Sequence, residues 1–285
     1  MLRRRFPPWL KRPLPQGGKA GAVETVLTDA SLHTVCREAQ CPNMGECFAR
    51  GAATFLVMGS VCSRSCSFCG VAHGCPEDLD KNEPSRVCDA IEKMKLSHAV
   101  ITSVTRDDIP DGGASHFAEI ISLIRKRLPG VTIEVLVPDF QGDTNALQTV
   151  LSAQPHVFNH NIETVPRLYK TVRPQASYDQ SLEVLAYASR FRVDLRVKSG
   201  LMVGLGETSA EIFRTMRDLK DQGCSLLTIG QYLQPSKQQI PVVEFVTPKQ
   251  FEEYKSYALS AGFSNVAAGP FVRSSYMAEQ MMEIV

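Results

Sequence analysis

The sequence predicts an α/β fold built on a parallel sheet, and three observations support this. The chain of 285 residues is long enough for one large or two small domains with a substantial core. Hydrophobic residues make up 44% and charged residues 21%, which is typical of a globular protein. After residue 50, short apolar runs alternate six times with amphipathic stretches. That rhythm predicts strand–helix pairs, with the helices packed outside the sheet.

Each of the six apolar runs predicts a strand that leads into a helix. The strands are TFLVMG (54–59), HAVITSV (98–104), TIEVLVP (132–138), VFNHNIE (157–163), RVKSGLMVG (196–204) and SLLTIGQY (225–232). The helices lie in EPSRVCDAIEKMK (83–95), GASHFAEIISLIRKRLP (113–129), TNALQTVLSA, SYDQSLEVLAYASR, SAEIFRTMRDLKDQG and TPKQFEEYKSYALSAG. Six such units form either an open doubly wound sheet or an incomplete barrel, and periodicity does not decide between them.

Polar residues recur where these strands end. The segments TSVTRDD, PDFQGD, NHNIETV, GLGE and QYLQPS each lie at the end of a predicted strand. A single one is best interpreted as a solvated loop. The C-terminal ends of parallel strands share one edge, however, and ligands gather there. Five such segments therefore predict one polar cavity.

Charge and hydropathy exclude several classes of partner. The formal net charge of +1 gives no electrostatic case for nucleic acid or an anionic membrane. No apolar run approaches the roughly 20 residues that span a bilayer. The N-terminal stretch MLRRRFPPWLKRPLPQGG is basic and proline-rich without the apolar core of a signal peptide, and it predicts a surface arm. We expect a cytoplasmic protein with no nucleic-acid or membrane partner.

Cysteines give the strongest signal for a cofactor. Six of the nine fall between residues 36 and 69, in two triplets. In a reducing cytosol such clusters are more often metal ligands than disulfides. The first triplet is Cys36, Cys41 and Cys47, and the second is Cys62, Cys66 and Cys69. The remaining three, Cys75, Cys88 and Cys224, are interpreted as ordinary small apolar residues.

The second triplet, CSRSCSFC, offers three ligands where an iron–sulfur or zinc site usually has four. Three thiolates hold three irons of a cubic [4Fe–4S] cluster and leave the fourth iron open to a substrate or cofactor. A zinc site would need His73 as its fourth ligand, but this spacing is not usual for a zinc ribbon. The pattern favours a cluster with one open iron.

CSRSCSFC, with an aromatic residue before its last cysteine, resembles the motif of radical S-adenosylmethionine (SAM) enzymes. The resemblance implies that SAM occupies the open iron and is cleaved to a 5′-deoxyadenosyl radical. It also implies a partial (β/α)6 TIM-like barrel, in agreement with the six units. The candidate SAM contacts at the strand ends are Ser103, Asn161, Glu163, Arg173 and Lys198. Asp107 and Asp108 are candidates either to contact a substrate lysine or to form a solvated turn.

Seven blocks through the chain resemble the lipoyl synthase family. They are LHTVCREAQCPNMGEC, TSVTRDDIPDGGASHF, NHNIETVPRLY, GLMVGLGET, GQYLQPS, FEEYKSYALSAGF and GPFVRSSY. The resemblance implies that Cys36, Cys41 and Cys47 hold an auxiliary [4Fe–4S] cluster. Its fourth ligand would be Ser275 in the C-terminal R-S-S-Y motif. A serine ligand suits a cluster meant to come apart, because serine is a poor iron ligand beside thiolate.

The same resemblance implies an activity and a division of the chain. The enzymes insert two sulfurs, at carbons 6 and 8 of an octanoyl chain on a carrier-domain lysine, and the auxiliary cluster donates both. Implied partners are 2-oxoacid dehydrogenase E2 subunits, the glycine cleavage H protein, a ferredoxin or flavodoxin reductant, and iron–sulfur assembly proteins. Residues 1–50 form an extension with the auxiliary cysteines, 51–262 the barrel, and 263–285 a tail with R-S-S-Y. Both extensions are expected to cover the barrel mouth.

Three alternatives remain open from the residues. A biotin synthase-like sulfur-inserting enzyme would lack the first triplet and the R-S-S-Y end. A two-cluster electron-transfer protein would usually be shorter, with four cysteines for each cluster. A zinc-dependent binding module would hold zinc and no iron.

Overall fold

An eight-stranded sheet forms the centre of the computed structural model, which describes residues 6–11 and 18–282. Most of the basic stretch predicted to form an N-terminal arm lies outside these residues. The strands are β1 (His33–Thr34), β2 (Thr54–Val57), β3 (Val61–Cys62), β4 (Ala72–His73), β5 (His98–Ser103), β6 (Thr132–Leu136), β7 (Val157–Asn159), β8 (Arg196–Val203), β9 (Leu226–Gln231) and β10 (Asn265–Gly269). Strands β3 and β4 form a separate two-stranded sheet.

Helices connect the strands in the predicted order. They are α1 (Ala20–Asp29), α2 (Val35–Glu38), α3 (Met44–Ala49), α4 (Glu83–Met94), α5 (Ala114–Arg127), α6 (Thr144–Ser152), α7 (Tyr169–Val172), α8 (Tyr178–Phe191), α9 (Ser209–Asp221) and α10 (Pro248–Ser260). Short 3₁₀ helices cover Pro8–Leu10, Phe140–Gly142, Pro166–Leu168 and Ala278–Met282. Capping boxes begin α9 at Thr208 and α10 at Thr247, which explains why these boundaries were readable from sequence.

The order of the strands decides between the two predicted architectures. It is β1-β2-β5-β6-β7-β8-β9-β10, with every pair from β2 to β10 parallel and β1 antiparallel to β2. A doubly wound sheet reverses its strand order at a switch point, and this sheet does not. Successive helices also pack on one another around the outside. The partial barrel is confirmed, and the doubly wound alternative is wrong.

Two strands beyond the six predicted, β1 and β10, complete the sheet. Strand β10 pairs in parallel with β9, and it lies within the residues expected to form the tail. Its sequence, NVAAG, is short and poor in large apolar residues. That composition gave no strand signal, and pairing with β9 supplies the stability instead.

Alternate residues of the strands face two different environments. In β5, Ala99 and Ile101 are fully buried in the core beneath the helices, whereas Val100 and Thr102 line a cavity inside the barrel. Both faces are therefore largely enclosed, as in other parallel sheets. This explains why the strands read as continuous apolar runs rather than as alternating ones.

The last part of the chain runs along the inside of the barrel. Met281 packs against Val157 and Leu226, the first residues of β7 and β9. Arg196, the first residue of β8, donates a hydrogen bond of 2.8 Å to the carbonyl of Met282. The 3₁₀ helix Ala278–Met282 therefore lies at the N-terminal ends of these strands, and the residues before it reach the opposite end. Over the described part of the chain, no helix is long and apolar enough to cross a membrane.

Candidate active site

A cavity of about 790 Å³ occupies the barrel interior and opens among the C-terminal ends of the strands. Five of the six triplet cysteines line it, together with most of the other residues singled out from the sequence. These lining residues are Cys36, Cys41, Cys47, Cys66, Cys69, Ser103, Asn161, Glu163, Arg173 and Ser275. Parts of the chain more than 200 residues apart thus meet at one site, as the polar strand ends predicted.

The loop of Cys62, Cys66 and Cys69 is held in shape by its backbone. The Cys62 thiol accepts hydrogen bonds from the N–H groups of Arg64 (3.4 Å) and Thr105 (3.3 Å). The N–H of Cys69 donates to the carbonyl of Cys66 at 3.1 Å. Hydrogen bonds to a cysteine sulfur and between cysteine backbones therefore fix the shape of the loop.

Arg64, inside this loop, ties it to two neighbouring strands. Its guanidinium pairs with Asp107 after β5 at 2.6 Å and with Asp139 after β6 at 2.8 Å. Arg64 and Asp139 are both buried. Burial tends to raise the pKa of Asp139, but the hydrogen bonds and charge of Arg64 outweigh it and lower that pKa. Sequence analysis missed Arg64, although an arginine within a cysteine motif and acids after two strands were available as a signal.

The thiols of this loop are half-buried and influence one another through their charges. Burial raises the pKa of Cys69 to about 12, and the charges of Cys66 and Cys62 add to the rise. Burial also raises the pKa of Cys66, while Arg173 opposes the shift. Burial therefore favours the protonated forms of Cys66 and Cys69, and a metal that binds these two thiols must displace their protons.

The other triplet is carried by two short helices before β2. Cys36 lies in α2 and Cys47 in α3, while the N–H of Cys41 donates to the carbonyl of Cys36 at 3.0 Å. Burial raises the pKa of Cys36 to about 11 and that of Cys47 to about 12, and neighbouring thiols of the triplet raise both further. Within the described ranges, no three His, Cys, Asp or Glu side chains are arranged to hold a metal ion. Neither triplet therefore forms a compact single-ion site in the described part of the chain.

Ser275 and Cys36 both contact the same residue, Thr54. Thr54, the first residue of β2, donates a hydrogen bond of 2.8 Å from its hydroxyl to Oγ of Ser275. The backbone and side chain of Thr54 also hydrogen-bond to the Cys36 thiol. The tail thus approaches the first triplet at the point where the sequence resemblance expects a fourth ligand.

Further contacts fix the tail over the N-terminal extension. They are Asn43 Nδ2 to the carbonyl of Phe271 at 2.6 Å, the Tyr276 hydroxyl to Glu46 at 2.9 Å, and Arg50 to Glu279 at 3.1 Å. Each joins residues about 230 positions apart in the chain. Two extensions that the sequence places at opposite ends therefore form one wall of the cavity.

The opposite wall carries the candidate SAM contacts. Asn161 donates to Glu163 at 3.0 Å, and Arg173 donates to the carbonyl of Asn161 at 3.0 Å. Burial raises the pKa of Glu163. Oγ of Ser103 and Nε of Arg173 are buried with no hydrogen-bond partner among the described residues. Buried polar atoms normally have partners, so these two are suited to a polar ligand in the cavity.

His160 is a cavity residue that sequence analysis did not single out. Its Nδ1 donates to the carbonyl of Val137 at 2.9 Å, and its Nε2 is buried without a partner in the described structure. Burial, with the nearby charge of Arg173, lowers its pKa to about 4. His160 is therefore neutral and presents an unused acceptor. It lies within the segment NHNIETV, which was noted only as a polar group.

Several predicted residues have other roles. Lys198 is fully buried and does not line the cavity, because its ammonium pairs with Glu134 at 2.8 Å. That position does not support a contact with SAM. Asp107 is paired with Arg64 and Asp108 with Arg106, so neither acid is free for a substrate lysine. Of the three cysteines interpreted as ordinary small apolar residues, Cys88 and Cys224 are buried and Cys75 is exposed.

Comparison with known proteins agrees with the fold and the cysteine loop. Residues 56–219 match the model of the radical SAM superfamily, which covers more than half of the chain. The structure is also similar to that of methylornithine synthase, with a TM-score of 0.52 over 91% of this chain and 85% of that one. At 15% identity this similarity concerns the fold alone. The chain is a radical SAM protein.

Relatives of higher sequence identity show which family of radical SAM proteins the chain belongs to. The chain is 54% identical to a lipoyl synthase of Rubrobacter xylanophilus, over 97% of this chain and 86% of that protein. It is 50% identical to a lipoyl synthase of Caldicellulosiruptor saccharolyticus over the whole length of both. The chain belongs to the lipoyl synthase family.

Proposed function

We propose that the chain is a lipoyl synthase that inserts two sulfur atoms, at carbons 6 and 8, into an octanoyl chain linked to a carrier-domain lysine. The observation that carries the proposal is the meeting of both cysteine triplets and Ser275 around one cavity. Carbons 6 and 8 of an octanoyl chain carry only unactivated C–H bonds. A site for such a substrate needs a radical source and a sulfur source within reach of the same carbons.

Each triplet has a separate role in this proposal. Cys62, Cys66 and Cys69 would hold a [4Fe–4S] cluster with one open iron for SAM. Cys36, Cys41, Cys47 and Ser275 would hold the auxiliary cluster. When bound, these groups supply the electron, the hydrogen-abstracting radical and the sulfur. The half-buried thiols of Cys47 and Cys69 fit this assignment, because burial raises their pKa and a metal that binds them displaces their protons.

The protein's part is to orient SAM and the alkyl chain between the two walls. Glu163 and Asn161 suit the polar groups of SAM, and the cation of Arg173 suits its carboxylate. Ser103 adds a hydroxyl with no other partner in the described structure. The alkyl chain would lie against apolar interior residues such as Leu136 and Val100, from which water is excluded.

The proposal includes a division of the chain and its partners. Residues 1–50 carry the auxiliary cysteines, 51–262 the radical SAM barrel, and 263–285 the tail with R-S-S-Y. Octanoylated carrier domains would be the substrates, namely those of 2-oxoacid dehydrogenase E2 subunits and the glycine cleavage H protein. A ferredoxin or flavodoxin would supply electrons, and iron–sulfur assembly proteins would load the clusters. A reducing compartment such as the cytoplasm suits a site that needs six free thiols.

A single-turnover experiment tests this function. The chain is reconstituted anaerobically with heavy-isotope sulfide, freed of unbound sulfide, and mixed with SAM, a reductant and an octanoylated carrier peptide. We expect mass spectrometry to find two heavy sulfurs in the peptide. A peptide that gains no sulfur while SAM is cleaved would contradict the proposal and favour another substrate, such as that of a biotin synthase-like enzyme.

A further inference from the structure

Inside the barrel, the C-terminal tail passes over two neighbouring strands that are paired with each other. Gly200 on β8 and Gly230 on β9 both line the cavity. A Cβ atom on Gly230 would overlap the carbonyl oxygen of Val272, and one on Gly200 would lie 2.8 Å from Oγ of Ser274. Real Cβ atoms essentially never come within 3.0 Å of such neighbours. The nearest atom to a Cβ on Gly200 would be Oδ1 of Asn161, at 2.5 Å. Gly230 therefore leaves room for the backbone of the tail, and Gly200 leaves room for the pair that Ser274 forms with Asn161.

Space, rather than backbone conformation, accounts for these two glycines. Neither has a φ angle in the left-handed region, so alanine could adopt either backbone without strain. Both lie in regular parallel strands, where glycine is otherwise unfavourable. Glycine in a strand often marks the close approach of another backbone, and at Gly230 that backbone is the tail at Val272.

Two consecutive serines of the tail contact opposite walls of the cavity. Oγ of Ser274 lies 2.7 Å from Nδ2 and 2.9 Å from Oδ1 of Asn161, on the wall with the candidate SAM contacts. The next residue, Ser275, accepts a hydrogen bond from Thr54, which contacts the Cys36 thiol. The position of Ser275 therefore depends on the contacts that hold Ser274 and the residues just before it.

We propose that Gly200, Gly230 and Ser274 are positioning residues that form a slot for the tail and so place Ser275 beside the auxiliary thiols. This inference rests on the proposed function, in which Ser275 is a cluster ligand. A bond to a metal is about 2 Å long, and sites fail when they are roughly 1 Å too loose. A tail forced out of the slot would therefore lose Ser275 as a ligand while the second triplet stayed intact.

Gly230→Ala tests the slot, and Gly269→Ala is its matched control. Gly269 is the register partner of Gly230 on β10, and a Cβ there would lie 3.5 Å from a methyl group of Val272, an ordinary contact. Two readouts are taken on the full-length reconstituted chain. They are hydrogen exchange of residues 270–282 and the yield of thiolated peptide per cleaved SAM. Exchange is also measured after the iron has been removed.

In Gly230→Ala we expect the rate of hydrogen exchange in the tail to rise by roughly tenfold or more, because the segment is no longer packed in the slot. We expect the yield of thiolated peptide per cleaved SAM to fall by a similar factor. The displaced tail no longer supplies Ser275 to the auxiliary cluster, whereas the second triplet, which is unchanged, still supports SAM cleavage. Gly269→Ala should match the wild type in both readouts. If Gly230→Ala behaves like Gly269→Ala, the slot is refuted.

Two further outcomes separate the possible failures. A wild-type chain that makes no thiolated peptide overturns the proposed function, while the exchange of the iron-free tail still tests the slot. If Gly230→Ala does not fold, Ser274→Ala decides, because it removes the contact with Asn161 without adding any atom. Faster exchange of the tail in Ser274→Ala supports the slot, and unchanged exchange overturns it.

Discussion

Replacing Arg64 with methionine should strongly destabilise the chain. The guanidinium is 7% exposed, and its hydrogen bonds to Asp107 and Asp139 are 2.6 to 3.0 Å long. Methionine fills similar apolar space but leaves Asp139, which has no exposed surface, as a buried charge without its partner. Asp107 suffers less, because 28% of its side chain is exposed to water.

The expected loss in the free energy of unfolding follows from the difference in burial between Asp139 and Asp107. Removing one partner of a buried ion pair costs about 3–5 kcal/mol, because the other charge is left uncompensated. A partly exposed carboxylate such as Asp107 contributes about 1 kcal/mol or less. We therefore expect Arg64→Met to lower the free energy of unfolding by about 3–5 kcal/mol. Combining it with Asp139→Asn, which removes the stranded charge, should recover much of the loss.

Urea denaturation of the iron-free chain, under anaerobic reducing conditions, measures these differences. Arg64→Met, Asp139→Asn and the double variant form a cycle, and Asp107→Asn serves as the exposed control. We expect a coupling between Arg64 and Asp139 that exceeds any effect of Asp107→Asn. A loss below about 1 kcal/mol in Arg64→Met would refute the reasoning, since it would mean that Asp139 needs no partner.

Further predictions concern individual side chains of the site. Cys66→Ala should abolish SAM cleavage, measured as deoxyadenosine, because the open iron would no longer be held in place; continued release would contradict this. Cys41→Ala should still cleave SAM but give no thiolated peptide. If this variant did produce thiolated peptide, the sulfur would have another source. Ser275→Ala should likewise keep SAM cleavage and lose thiolation, and a normal yield would refute its role as ligand. The pKa of His160 is lowered from 6.5 to about 4, so its stabilising effect is complete above pH 6.5 and is lost as pH falls through 4. The loss is about 3 kcal/mol, visible in urea titrations across that range. His160→Asn, which keeps a donor for Val137, should lack this part of the pH dependence.

The sequence was sufficient for most of the fold, because the six predicted strands and the helices that follow them carry local signals. The capping boxes at Thr208 and Thr247 and the continuous apolar runs are such signals. Strand β10 had none, since its small residues become a strand only by pairing with β9. The choice between barrel and doubly wound sheet depended on strand order, which is set by tertiary packing and not by periodicity.

The site, like the fold, has features that the sequence could predict and features that depend on tertiary packing. Cysteine spacing is local, so both triplets could be identified as ligand sets from the sequence. Contacts that depend on the closed barrel could not. Arg64 reaches acids 43 and 75 positions away, and the pairing of Lys198 with Glu134 keeps its ammonium out of the cavity. The slot at Gly230 is visible only where the tail passes over it.

Metal analysis of the anaerobically reconstituted chain tests the central claim most directly. The claim is that both triplets bind a cluster, and each [4Fe–4S] cluster contains four irons. Iron and sulfide are measured in the wild type and in a variant with Cys36, Cys41 and Cys47 all changed to alanine. We predict about eight irons and eight sulfides per wild-type chain, and about four of each in the variant. Bound zinc in place of iron, or the same iron content in both proteins, would contradict the account.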